Sequence, residues 1–334
     1  MASPHNTSKL NSAICSLNAL GHRIRCIEVV QARSNIVCKA SLERPWSAEF
    51  PSSIVALRIQ EPGQKPTDEL DVATLLNSKS APAVRPVIRR PIEGNGVSVT
   101  VWEWINRARP TTDVFQFGQT LARLHQVEPH GLKRSTAFKP PSSVLAKAHE
   151  SMRKASDADK GHFSTYVSAL VDAYAQVDSC LKKSPTGFVH GTWRPDNVLD
   201  DPSEGLLAID FEHSGVGHLW SDFVNVGLAV RRFGWPASYW DSFRSGYGPD
   251  APTLDEIAPL VRLKELVTLG YSLRASKNDL RHKNELHKRL PALSDPLAPT
   301  PKWTMIPYTE QLDVRMAEAS PVDRPDLGRT ISLA

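Results

Sequence analysis

The chain has no run approaching the ~18 consecutive apolar residues needed to cross a bilayer, so no membrane span is expected. Cysteine is scarce: Cys15, Cys26, Cys38 and Cys180 show neither Cys-x-x-Cys nor Cys/His ligand spacing. That excludes a zinc motif or a disulfide framework, and it predicts buried, reduced thiols in a reducing, cytoplasmic setting. Acidic residues are absent before Glu28, and the Ser-rich start faintly resembles a transit peptide, but it lacks the long apolar core of a secretory signal. We read residues 7–20 instead as a short helix with Leu10, Ile14, Leu17 and Leu20 on one face. Heptads and internal repeats are missing too. The net charge of +4 is too small to imply bulk nucleic-acid binding, so neither nucleic acid nor membrane is expected as a partner.

What is present is ordinary globular material, 40% hydrophobic and 23% charged over 334 residues, ample for one large bilobal unit. Residues 23–30 and 35–41 read as strands joined by a polar turn containing Ser34 and Asn35. A third strand is predicted at 54–61, ended by Pro62-Gly63, then an amphipathic helix at 67–78. Strand-like segments at 84–92 and 97–102 run into Trp102-Glu103-Trp104-Ile105. From about residue 106 the texture is helical, with helices predicted at 114–125, 142–155, 162–182, 220–232, 237–245 and 253–275. Two short strands, 187–189 and 206–209, flank a polar loop. Beyond Pro291 the chain is rich in proline (Pro296, Pro299, Pro301, Pro307, Pro321, Pro325), which predicts an extended tail with little core of its own.

The polar loop is the most informative segment. It reads His190-Gly191-Thr192-Trp193-Arg194-Pro195-Asp196-Asn197, followed by Ile209-Asp210-Phe211-Glu212. Asn197 and Asp210 lie at the ends of a short connection between strands, and their hard oxygens suit Mg²⁺ completed by phosphate and water. Phosphoryl transfer needs little more than a held nucleotide, a divalent ion, positive charge on the moving group and an aligned acceptor.

With these motifs the chain resembles the aminoglycoside phosphotransferase and choline kinase-like branch of the protein-kinase-like superfamily. The resemblance covers roughly residues 7–275 and is strongest from Phe188 to Asp222, matching the branch pattern at Asp210, Glu212, Gly217 and Asp222. It implies an α+β, bilobal protein-kinase-like fold with ATP in the cleft. Residues 1–105 form the nucleotide-binding lobe, 106–290 the helical lobe, and 291–334 the tail. Arg58, mid-strand in Val-Ala-Leu-Arg-Ile, is then expected on the α- and β-phosphates. Glu69 is expected to orient it, with Glu61 and Asp71 as competitors. Asn35 falls at the turn covering the phosphates, although the Gly-x-Gly-x-x-Gly of protein kinases is absent. Trp102–Ile105 resembles the inter-lobe hinge, placing Glu103 and Ile105 against adenine. Asn197 and Asp210 become the metal pair, His190 and Asp222 braces of the loop, and Glu212 a residue near the metal.

One position departs from the pattern. Where the branch carries an aspartate that accepts or orients the acceptor hydroxyl, this chain has Thr192, which cannot serve as an anionic base. Arg194, at the place of the catalytic-loop lysine of Ser/Thr kinases, can stabilise charge on the γ-phosphate, and Asp196 is a substitute carboxylate. Residues 133–183 carry nine basic against five acidic side chains, and a second basic run spans Arg274–Arg289. Both read as solvated helix faces, or else as surfaces for an acidic peptide or protein partner or an anionic small molecule. Three readings stand: an ATP- and Mg²⁺-dependent O-phosphotransferase on a small-molecule hydroxyl, a kinase of Ser/Thr in a maturing peptide, and a nucleotide-binding pseudokinase.

Overall fold

The computed structural model describes residues 4–32, 35–61, 66–105, 113–136, 141–154, 157–295, 302–304, 306 and 330–332. The N-terminal part opens with helix α1 (Pro4–Ala19) and strands β1 (Ile24–Ala32), β2 (Ile36–Leu42) and β3 (Ile54–Gln60). Helix α2 (Pro66–Ser78) and strands β4 (Ile92–Gly94) and β5 (Val97–Glu103) complete it. The helical part follows with α3 (Val114–His125), α4 (Pro141–Lys154), α5 (Asp157–Lys160) and α6 (Phe163–Leu181). Short strands β6 (Thr186–Val189), β7 (Val198–Asp201), β8 (Gly205–Ala208) and β9 (Gly215–His218) come next. They lead into α7 (Val224–Arg232), α8 (Ala237–Tyr247), α9 (Ala258–Ala275), α10 (Leu280–Arg289), α11 (Pro291–Ser294) and a last strand, β10 (Thr330–Ser332).

The strands of the N-terminal part, with β10 of the tail added beside β1, form an antiparallel sheet in the order β10-β1-β2-β3-β5-β4. Burial alternates along β2 and β3, as expected of strands with two different faces. On one face Cys38, Ala40, Val55, Leu57, Val99 and Val101 pack against Leu10, Ala13 and Leu17 of α1. The other carries Val37, Lys39, Ala56 and Arg58, with Arg58 paired in register to Val37 and Thr100. A separate, larger core holds the helical part together, running from Phe117 and Leu121 through Phe188, Trp193 and Phe243 to Leu266. The fold is an α+β, protein-kinase-like one. No helix among the described residues is long and apolar enough to cross a membrane.

Several expectations need correction. Leu20 does not share the buried face of α1, because the helix stops at Ala19 and Leu20 is exposed. Residues 84–92 are not a strand. Pro82, Pro86 and Pro91 cannot donate to a ladder, so the segment makes only isolated bridges at Ala83 and Pro86 before β4 begins at Ile92. The predicted strands 187–189 and 206–209 exist as β6 and β8, but each pairs with a partner not foreseen, β9 and β7. The helix predicted at 253–275 begins at Ala258, after a turn in which Thr253 and Glu256 bond reciprocally. Cys15 is exposed and Cys26 half-buried; only Cys38 and Cys180 are the buried thiols expected.

The tail and the second basic run differ most from expectation. Residues 280–289 form α10, whose Arg289 is buried rather than solvated; it pairs with Glu285 at 3.0 Å and lies 4.8 Å from the Trp303 ring. Trp303 is itself 2% exposed, and its main-chain N–H donates to the Arg232 carbonyl at 2.8 Å. Lys302 packs over Gly234, where φ is +71° and a Cβ would meet the lysine stem at 2.6 Å. The tail therefore contributes to the core at Trp303. The Ser34 turn position and the prolines from Pro296 to Pro325 fall outside the described residues.

Candidate active site

Two hairpin-like pairings set the loop geometry. Strand β6 pairs with β9, bringing His190 and Ser214 side by side, and Ser214 Oγ donates to the His190 carbonyl at 2.8 Å. Strand β7 pairs with β8, and Ile209 N–H donates to the Asn197 carbonyl at 3.0 Å beyond the ladder's end. Asn197 and Asp210 thereby sit at the open mouth of one hairpin. Two backbone positions of the site are conformationally constrained. Gly191 has φ +85°, and a Cβ there would lie 2.4 Å from the His213 carbonyl oxygen, so only glycine fits. Asp210 is itself left-handed at φ +66°, an uncommon conformation for a non-glycine residue.

The loop is braced from below. Fully buried Asp222 accepts hydrogen bonds from His190 N–H and Gly191 N–H at 2.7 Å each, and from His125 Nε2 at 3.0 Å. His125 Nδ1 in turn lies 2.9 Å from the Tyr247 hydroxyl, while Nε2–H faces the carboxylate. His190 Nε2–H donates to the Ile209 carbonyl at 2.8 Å, and burial pushes its pKa below the ordinary value, keeping the ring neutral. Trp193 is wholly buried, stacked on Phe117 at 4.7 Å, and Asn225 Nδ2 donates to its carbonyl at 3.2 Å. His125 and Tyr247 were not anticipated. The available signal for His125 was its place four residues after Leu121, on the buried face of α3.

Above the loop, Arg58 stands among carboxylates. Its Nη1 makes a close ion pair with Glu69 and lies 3.1 Å from Asp210 Oδ1; its Nη2 is 3.4 Å from Glu212 Oε2. The competitors are placed elsewhere: Glu61 pairs with Lys9 at 2.7 Å, and Asp71 is exposed on α2. Burial works against the Arg58 charge, but Glu69, Asp210 and Glu212 outweigh it and hold the guanidinium above its ordinary pKa. Burial also pushes Glu69 up to about 7, partly offset by Arg58, while Asp210 and Glu212 push the same way as burial. One cation thus faces three carboxylates, a locally negative cluster.

The remaining expected residues spread around this cluster. Asn197 Nδ2 donates to the Thr192 carbonyl at 3.0 Å and to Thr192 Oγ1 at 3.2 Å. Arg194 is half-buried, with its Nε buried and without a hydrogen-bond partner. Asp196 is exposed, in the 3₁₀ turn Pro195–Asn197. Asn35 is buried at the start of β2, two residues before the partner of Arg58. Glu103 ends β5 with its carboxylate held by Arg85 at 2.7 and 2.9 Å and its N–H donated to the Arg85 carbonyl at 3.0 Å. Ile105 is buried, and Lys39 Nζ lies 5.2 Å over the Trp104 ring between them.

The donor set fits a hard divalent cation. Asp210 Oδ1 is buried and lies 3.1 Å from Arg58 Nη1. With Nδ2 of Asn197 committed to Thr192, its Oδ1 is left as the second oxygen. Among the described residues no cluster of three or more His, Cys, Asp or Glu is arranged to hold a metal, so this pair supplies only part of a coordination shell.

Among curated proteins none matches the chain in sequence. Solved structures are similar in fold. An aminopropanol kinase associated with a microcompartment superposes with a TM-score of 0.61 at 17% identity, covering 84% of this chain and 95% of its own. A choline kinase from Streptococcus pneumoniae gives 0.59 at 14%, covering 84% and 98%. A spectinomycin phosphotransferase, solved with ADP and spectinomycin, gives 0.57 at 13%, covering 86% and 94%. The phosphotransferase enzyme family model known as APH matches residues 55–260, which include Arg58, the braced loop and Asp210. The chain belongs to this phosphotransferase family.

Proposed function

We propose that the protein is an ATP- and Mg²⁺-dependent O-phosphotransferase acting on a hydroxyl of a small molecule or natural product. The observation that carries this reading is the Arg58 guanidinium set among Glu69, Asp210 and Glu212, directly above the hairpin mouth that holds Asn197. Its similarity in fold to a choline kinase, an aminopropanol kinase and a spectinomycin phosphotransferase supports a small-molecule acceptor. Residues 1–105 then serve as the nucleotide-binding lobe and 106–290 as the helical lobe, with 291–334 as the tail.

When bound, the magnesium ion supplies positive charge to the phosphates and orients them. Asn197 and Asp210 would hold it. Arg58, fixed by Glu69, would meet phosphate oxygens, and the main chain of Glu103–Ile105 would meet the base. Asn35, at the start of β2, would lie near the phosphates. Arg194 would stabilise charge on the transferred group. Loss of an anionic base costs on the order of 10²–10⁴ in rate, yet phosphoryl transfer runs through a loose transition state in which positioning and charge dominate. Thr192 therefore slows a transferase of this kind without disabling it. Asp196, exposed in the 3₁₀ turn beside Asn197, is the alternative carboxylate.

The test is nucleotide-dependent stabilisation. Wild-type protein should melt higher with an ATP analogue and Mg²⁺ together than with either alone, and Asp210→Ala should remove the difference. Equal shifts in both proteins would defeat the reading. A second reading rests on Thr192 itself: a pseudokinase that binds nucleotide and serves a partner would show the stabilisation but no turnover with any acceptor.

A further inference from the structure

Residue 192 stands where the resemblance expects a base, yet its contacts run inward to the main chain and the neighbouring amide. Asn197 Nδ2 faces two oxygens of one residue, the Thr192 carbonyl at 3.0 Å and its Oγ1 at 3.2 Å. A main-chain carbonyl can only accept, so the amide nitrogen must point at Thr192 and the amide oxygen must point away. This settles the orientation of Asn197 on chemical grounds. The Thr192 main chain is fixed in turn: its N–H approaches His190 Nδ1 at 3.4 Å, and His190 is tied by Nε2 to Ile209, the residue beside Asp210. Wholly buried Trp193 anchors the other side.

We propose that Thr192 is a positioning residue whose hydroxyl and carbonyl together lock the Asn197 amide with Oδ1 toward the cation. The inference rests on the functional reading above and deepens it: residue 192 governs affinity for the divalent ion instead of abstracting a proton. The physical basis is the usual dependence of a ligand atom on the group that orients it. With the hydroxyl removed, the amide keeps only the carbonyl contact at 3.0 Å and loses the second point that restrains its rotation, so Oδ1 is held less firmly toward the cation. A threonine performs this as a neutral acceptor, so it adds no negative charge to a cluster that already has three carboxylates around Arg58.

The experiment is a Mg²⁺ titration at fixed non-hydrolysable ATP analogue, read as melting shift and by calorimetry, on wild type, Thr192→Val, Thr192→Ala and Thr192→Ser. Removing an orienting partner typically weakens metal binding by 10-fold or more, so Thr192→Val and Thr192→Ala should raise the half-saturating Mg²⁺ by roughly 10-fold. Thr192→Ser retains the acceptor and should stay within about 2-fold of wild type. Affinity for the analogue without metal should not change in any variant, which a general loss of structure would not reproduce. The alanine variant covers the case in which the branched valine fails to fold. Should both apolar variants titrate like wild type while wild type shows Mg²⁺-dependent binding, this inference falls and the functional reading survives. If wild type shows no Mg²⁺-dependent nucleotide binding, both fall together.

Discussion

Two regions of this molecule bury arginine against glutamate, on opposite charge balances. In the cleft, Arg58 faces Glu69, Asp210 and Glu212, one cation among three carboxylates. In the helical part the excess is reversed: buried Glu265 accepts Arg231 at 2.9 Å, Arg232 at 2.8 Å and Arg262 at 3.2 Å. The second set is closed by the chain itself. Arg262 donates to the carbonyls of Ala292 and Leu293, Arg289 to those of Thr268 and Thr304, and Trp303 covers both Arg232 and Arg289. The first set is open: the side chains of Asp210 and Glu212 are 30% and 47% exposed. Buried charge alone does not mark function. Buried charge becomes a site where the surrounding chain leaves it incompletely compensated at a surface a ligand can reach, whereas a network finished by main-chain carbonyls is architecture.

Mutations should separate the two regions. The largest effect belongs to the open one: Asp210→Ala should lower phosphoryl transfer by roughly 10³-fold or more, because a cation contributes several kcal/mol of charge stabilisation, while the melting temperature without ligand stays close to wild type. A large loss of stability would make Asp210 a structural residue and erase the contrast. In the closed region, Glu285→Ala should cost about 3–4 kcal/mol in denaturant unfolding, since it strands buried Arg289, and should leave Mg-nucleotide binding by the folded fraction intact. Trp303→Ala should cost about 3 kcal/mol by the same measurement. An unchanged midpoint would mean that the tail adds nothing to the core.

The smallest effect is a pH slope. Glu69 has its folded pKa raised to about 7, above the ordinary 4.5, so the native state binds more protons between these values. Its contribution to stability is therefore present at low pH and lost as pH rises through about 7. The groups facing it are Arg58, which opposes the shift, and Asp210 and Glu212, which reinforce it. Between about pH 5 and pH 8, Glu69→Gln should flatten the decline in wild-type stability by on the order of 1–3 kcal/mol. An equal decline in variant and wild type would show that Arg58 keeps Glu69 ionised throughout.

Much of the cleft was legible before any coordinates. Apolar runs bounded by turn residues marked β2 and β3, and helical spacing placed α3 at Val114–His125. The loop from His190 to Asp210 declared itself because its chemistry is packed into a short span. Less legible was anything depending on distant partners. Residues 84–92 look strand-like by hydropathy, but their prolines and a connection to Ala208 decide otherwise. Arg289 reads as one more surface cation until Trp303, fourteen positions on, is seen to cover it. His125 carries no local mark of its bond to Asp222, 97 residues away.

From the order of its residues alone, this protein was bound to form strands followed by helices, and to carry an amide and a carboxylate at the ends of a short connection. Periodicity and short-range chemistry encode such features, because they act between residues a few positions apart. Tertiary structure alone decided that Glu69 rather than Glu61 or Asp71 meets Arg58, that Thr192 turns its oxygens to Asn197, and that the tail's tryptophan seals a cationic core. Each of those outcomes is a competition among similar groups for one partner. The winner is set by which surfaces the folded chain brings within hydrogen-bonding distance.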